Sequence, residues 1–143
     1  MKYDIHLLTT GNTHLLEQIE PEVFDNPIDA TQLRAFLEDK RHIMFVAVVQ
    51  DSVIGMASAV EYFHPDKQPQ LWINEVGVAT QYRNHGIGRH LVEALLQAAE
   101  DRGCVFAWLG TDSDNRAAQA CFGSIPEVED PQPFLLYEWD LED

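Results

Sequence analysis

The stretch Val76-Gly77-Val78-Ala79-Thr80-Gln81-Tyr82-Arg83-Asn84-His85-Gly86-Ile87-Gly88-Arg89 is where residue type and spacing could do chemistry. An apolar strand ends there, and a basic Arg-x-x-Gly-x-Gly loop leads into a helix. At a helix N-terminus the first turn of N–H groups has no intrahelical acceptor, and the helix dipole is positive. Gly86 and Gly88 would let backbone amides approach a diphosphate with no Cβ in the way. Arg83 and Arg89 add positive charge in a planar fork that suits phosphate. A glycine-rich strand-to-helix turn can also be no more than a turn, and that plainer account stands beside the anion site. Neither a GxGxxG pattern nor a Gly-Lys-Ser/Thr loop occurs, which weakens nucleotide readings without touching an anion site.

The elements around this loop read as one α/β (α+β) domain over residues 1–143. Ile5 to Leu8 predicts an edge strand, and a helix starting near Asn12 carries Leu15, Leu16 and Ile19 up to Pro21. Asp29-Ala30-Thr31-Gln32 has capping-box spacing and opens a helix through about Asp39, with Leu33, Phe36 and Leu37 on its buried stripe. Ile43 to Val49 reads as a central strand, and Val53 to Phe63 returns as the second arm of a hairpin, with Gly55 marking a bulge. The two prolines of 64–69 break the pattern before a strand over Leu71 to Val78. Ile87, Leu91, Leu95 and Ala98 predict an amphipathic helix of about 87–102, ended by Gly103. Cys104 to Leu109 is strand-like. Asp112 to Asn115 caps a short helix from Arg116 to Phe122, and Phe134 to Trp139 reads as a last strand. Trp72 and Trp139 are expected in the core.

Charge separates the candidate loop from the rest of the chain. Lys and Arg number 9 against 24 Asp and Glu, a net −15. Residues 1–80 hold 5 basic and 12 acidic groups and residues 103–143 hold 1 and 9, whereas 81–102 hold 3 of each. An anion therefore meets the least repulsion at the basic loop. The overall acidity argues against nucleic acid or an anionic membrane surface as partner and suits a cationic small molecule. Two cysteines with no CxxC pair argue against a disulfide framework and against metal. With no signal-peptide pattern and no apolar run of about 18 residues, a cytoplasmic protein is expected.

Arg83-Asn84-His85-Gly86-Ile87-Gly88 resembles the [Gln/Arg]-x-x-Gly-x-[Gly/Ala] signature of the GNAT N-acetyltransferases, and Asn115-x-x-Ala118-x-x-Cys121-Phe122 resembles their second conserved helix. The order of elements is similar across essentially the whole chain. The resemblance implies a mixed, mostly antiparallel sheet flanked by helices, with a central strand–loop–helix site for acetyl-CoA. Leu71-Trp72-Ile73-Asn74-Glu75-Val76-Gly77-Val78, with the acidic loop Thr111 to Asn115, looks most like the class I aminoglycoside 3-N-acetyltransferases.

By that resemblance, Arg83, Asn84, His85, Gly86, Ile87, Gly88 and Arg89 would hold the pyrophosphate. Val76 and Val78, with Gly77 between them, would pair with the pantetheine arm as an added strand would. Asn115 would meet the CoA arm. Glu75 would act as general base, because a protonated amine has no lone pair until a carboxylate, directly or through water, removes a proton. The same residue could be a surface carboxylate on a strand. Glu61, Tyr62, Asp112 and Asp114 would draw a polycationic acceptor, with Asp25 a further candidate; helix capping is an equal account of Asp112 and Asp114. Phe122 stands where many relatives carry a Tyr that protonates the thiolate, which leaves that role vacant here.

The resemblance thus implies acetyl transfer from acetyl-CoA to an aminoglycoside amine. Two other readings stay open: acetylation of a different amine (a polyamine, an amino acid or a protein N-terminus), and a non-catalytic acyl-CoA-binding module. Relatives of this kind are often homodimers, and the C-terminal strand could be exchanged or paired between chains.

Overall fold

β-Branched and apolar runs build one sheet in the computed structural model, which describes residues 1–142. The strands are β1 (Asp4–Leu7), β2 (His42–Val49), β3 (Ser52–His64), β4 (Lys67–Val78) and β5 (Phe106–Trp108), in the spatial order β1-β2-β3-β4-β5. All neighbours are antiparallel except β4 and β5. The expected mixed, mostly antiparallel sheet with flanking helices is what forms. The chain divides into two compact units, Met1–Gly110 and Thr111 onward.

In the first unit, Gln50 (φ 48°) and Asp51 (φ 66°) both take left-handed backbone, the geometry of a tight two-residue hairpin between β2 and β3. The register then slips, with Ala47 opposite Gly55 and Val48 opposite Val53, so a bulge lies beside Gly55 as expected. A Cβ at Gly55 would sit 3.2 Å from both Ile87 and Leu91. Helix α2 (Ile87–Asp101) lies against that face of the sheet. Its Ile87, Leu91, Leu95 and Ala99 recur every fourth residue and are buried, as is Val92. Removing each of the larger ones from water is worth about 1.5–3 kcal/mol. Gly103 (φ 80°) ends the helix, with Gly103 N donating to Glu100 O and Cys104 N to Ala99 O.

The opposite face carries a second core cluster: Val23, Val46, Val53, Met56 and Ala79, with Leu15, Leu16 and Ile19 packed on it. Here the expected N-terminal α-helix is replaced by one 3-10 segment, Thr13–Glu17. The chain leaves it because its backbone pairs elsewhere: Val53 N donates to Gln18 O, and Glu20 N to Val53 O. Helix α1 (Ala30–Glu38) starts where the sequence places it, with Asp29 Oδ1 accepting from Gln32 N at 2.9 Å, but its apolar stripe is only half-buried. The expected 64–69 loop shrinks to a tight turn, and β4 begins at Lys67 and runs through Pro69. Pro69 falls in the irregular register between the Tyr62–Gln70 and His64–Lys67 pairs, where its missing N–H breaks no ladder bond.

In the second unit, α3 (Arg116–Gly123) forms as expected, with Asn115 as its cap. The strand expected at Phe134–Trp139 does not form. Residues 129–142 carry no secondary structure, and Phe134, Leu135, Leu136, Tyr137 and Trp139 are all exposed. Strand-like composition sets a local preference, but a strand needs a partner edge to satisfy its N–H and C=O groups. Trp139 thus lies outside any core, and Trp72 is half out of it, stacked on Trp108 with centroids 5.7 Å apart.

Candidate functional site

The sheet opens where the chemistry is expected. β4 pairs with β5 only from Gln70 to Trp72, so beyond Trp72 its sole described partner within the first unit is β3, through Ala57–Val76 and Gly55–Val78. The other edge of residues 73–78 offers strand hydrogen-bonding groups to an extended arm. After Val78 a short 3-10 turn, Thr80–Tyr82, leads through Asn84 (φ 66°) to Gly86 (φ 78°), which caps α2 in left-handed backbone. The first intrahelical bond is His90 N to Gly86 O at 3.0 Å. Helix geometry therefore leaves the N–H groups of Ile87, Gly88 and Arg89 aimed out of the helix end. The two arginines are held at the rim. Arg83 Nε donates to Val78 O at 3.1 Å with Nη2 3.6 Å from Glu22, and Arg89 Nε donates to Glu93 at 2.6 Å. Asn84 and His85 are exposed, and the Ile87 side chain is in the core, so backbone makes the cradle.

Glu75 reaches its position through a bulge. Leu71 and Ile73 pair with Glu61 and Ala59 and are buried, which by simple alternation would send residue 75 to the same α2 face. The register instead passes from Ile73–Ala59 to Glu75–Ser58, leaving Asn74 as an extra residue. Glu75 is thereby moved to the face of Gly77 and Met56. Ser58 Oγ donates to Asn74 Oδ1 at 2.9 Å across the bulge.

The segment 18–29 covers that face and follows β4 in reverse. Glu22 accepts from Thr80, the Val23 carbonyl lies on Gly77, and Asp25 stands near enough to Glu75 for its charge to act on it. Glu20 accepts from Ser52 Oγ at 3.3 Å. A cavity of ≈ 280 Å³ opens in the segment, lined by Glu20, Glu22, Phe24, Asp25 and Asn26 among others. Partial burial raises Glu75 above the ordinary glutamate range, and the Asp25 charge pushes it the same way. Composition could have flagged the segment, since residues 17–29 hold five carboxylates and no Lys or Arg.

Within the first unit, Glu61 and Tyr62 lie apart from Glu75. Glu61 is 9% exposed and bound by Arg102 Nη1 at 3.0 Å. Arg102 follows the last residue of α2, about 22 Å along the helix from the cradle end. Tyr62 donates to Gln70 and accepts from Trp108 Nε1 beyond Glu61 on β3. In the second unit, Asn115 Oδ1 caps α3 through Ala118 N at 3.0 Å, which leaves its amide N–H groups for other partners. Asp112 and Asp114 contribute backbone carbonyls to that turn while their residues stay exposed. No group of three His, Cys, Asp or Glu able to hold a metal occurs among the described residues, nor any helix long and apolar enough to cross a membrane.

Comparison with known proteins agrees with this layout. The sequence model of the acetyltransferase (GNAT) family matches residues 12–124. N-alpha-acetyltransferase 30 of Xenopus laevis is 25% identical over 111 residues, 78% of this chain and 41% of that protein; the chain thus spans about two-fifths of that relative. The structure of an aminoglycoside acetyltransferase from an uncultured soil metagenomic sample, in complex with sisomicin, superposes with a TM-score of 0.76. It is 18% identical and is covered over 96% of this chain and 97% of its own. AAC(6')-Iy in complex with the bisubstrate analogue CoA-S-monomethyl-acetylneamine gives a TM-score of 0.77 at 18% identity, over 98% and 99% of the two chains.

Proposed function

This chain belongs to the acetyltransferase (GNAT) family, and on that premise we propose that it moves an acetyl group from acetyl-CoA to a primary amine of an aminoglycoside, at the 3-amino position. The observation that carries the acceptor class is the acidic cavity of residues 19–28, whose Asp25 meets Glu75 beside the open edge of β4. Several carboxylates around one base are suited to a polycation and ill suited to a neutral or anionic acceptor. The solved relatives that carry sisomicin or an acetylneamine analogue support the same class.

The cradle fits the donor. The free N–H groups at the start of α2 receive the pyrophosphate, and Val76 and Val78 receive the pantetheine arm on the edge of β4 that faces away from β3. Glu75 takes a proton from the acceptor ammonium, and the freed nitrogen attacks the thioester carbonyl carbon. The C–N bond forms and the C–S bond breaks. CoA leaves as a thiolate, and the second proton that the nitrogen sheds on becoming an amide passes through water to the thiolate, since Phe122 has none to give.

A second reading, acetylation of a protein N-terminus, is favoured by the likeness to N-alpha-acetyltransferase 30. Thiol release measured with a gentamicin-type aminoglycoside, spermidine and a peptide with a free N-terminus separates the acceptors. Turnover of the aminoglycoside alone is the expected result, with NMR of the product showing the acetylated amine. Turnover of the peptide or spermidine alone overturns the acceptor assignment, and CoA binding without turnover of any acceptor overturns the enzyme reading. Product acetylated at the 6′-amine corrects the position only.

A further inference from the structure

Two contacts tie the acidic segment to β4, Glu22 to Thr80 and Val23 to Gly77, and a third approach, Asp25 near Glu75, continues the same order. The first two fix the segment. Glu22 is held by Thr80 and faces Arg83, and Val23 is 2% exposed in the core cluster. The third follows from them, because two residues beyond the Val23–Gly77 contact the segment reaches the Glu75 that the Asn74 bulge has turned toward it. Two carboxyl groups held near each other are unfavourable while both are ionised. A protein holds them together to advantage where one of them must accept a proton.

We propose that Asp25 is a positioning residue for the base, its carboxylate receiving a hydrogen bond from Glu75 once Glu75 has taken the ammonium proton. Before transfer the substrate's ammonium offsets the two negative charges. After transfer the proton sits on Glu75 and is shared toward Asp25, while the neutral amine attacks the thioester. The acidic segment and β4 together form the proton acceptor. The inference rests on Glu75 being the base.

The surrounding charges are otherwise engaged. Glu20 accepts from Ser52, Glu22 is held by Thr80 and Arg83, and Arg89 is paired with Glu93 along α2. Ser58, opposite Glu75 on β3, does not titrate at these pH values. Asp25 is thus the group set to change the proton affinity of Glu75.

Asp25→Asn keeps the shape and removes the charge. The expected result is a kcat lower by about tenfold, with the low-pH limb of kcat moved down by ~1 pH unit. A carboxyl 13C NMR titration of ligand-free protein should show the same downward move for Glu75, whether or not the variant turns over. Unchanged limb and unchanged titration in Asp25→Asn overturn the inference, as does a rise in KM for the amine alone. Glu75→Gln tests the premise separately: near wild-type turnover there overturns Glu75 as base, whereas its loss with an unmoved Asp25→Asn profile overturns the Asp25 role alone.

Discussion

The carbonyl oxygen of Val23 lies against the α-carbon of Gly77 so closely that a methyl group there would overlap it. This contact lets the acidic segment lie flat on β4 and bring Asp25 to Glu75. Any side chain at residue 77 must push the segment outward, away from the base. Gly77→Ala should therefore cost about 1–3 kcal/mol in urea unfolding. KM for the amine should rise more than KM for acetyl-CoA. Full stability with unchanged kinetics would show that the contact positions nothing.

Glu61 and Arg102 hold the far end of α2 to β3, and Arg102 also donates to Lys40 O at 2.7 Å. The role is structural, so Glu61→Ala should lower stability by about 1–3 kcal/mol and leave KM for the amine unchanged. A raised KM at intact stability would return Glu61 to the acceptor site. Thermal melts and steady-state kinetics on one preparation decide between them.

Gly86 takes φ 78° with its nearest foreign side-chain atom, on His90, 3.8 Å from where a Cβ would stand. Space is available, so the demand on glycine is conformational. Gly86→Ala should cost about 1–2 kcal/mol. Because relief of that strain would turn the N–H groups of the first helical turn, acetyl-CoA should bind more weakly by calorimetry. Lower stability with undiminished affinity would mean that the cradle does not hold the pyrophosphate.

Local signals in the sequence were enough for the hairpin of β2 and β3, for α2 from Ile87 up to its stop before Gly103, and for the Asp29 cap, because each rests on neighbouring residues. The basic loop was legible for the same reason, being a turn between adjacent elements. What could not be read depends on distant partners. The Gln18–Glu20 backbone abandons helix for Val53, and Pro69 enters a strand at a register slip on its partner. The Phe134–Trp139 segment has strand composition without a strand. The Asn74 bulge matters most, since alternation read from Leu71 and Ile73 assigns Glu75 to the wrong face.

That bulge is held by a hydrogen bond from Ser58 Oγ to Asn74 Oδ1, and Ser58 itself is 2% exposed. Ser58→Ala removes the donor and leaves the Asn74 acceptor unpaired, which should cost about 1 kcal/mol. The functional effect should exceed that figure's bearing on the folded fraction. A protein stable by several kcal/mol stays folded after such a loss, whereas a base that drifts from its partner loses proton-transfer geometry directly. The expected outcome is fully folded protein with lowered kcat and acetyl-CoA affinity unchanged, checked by circular dichroism, turnover and calorimetry. If kcat is retained, the bulge keeps its shape without Ser58, and the one-residue offset of Glu75 is set by the strand register alone.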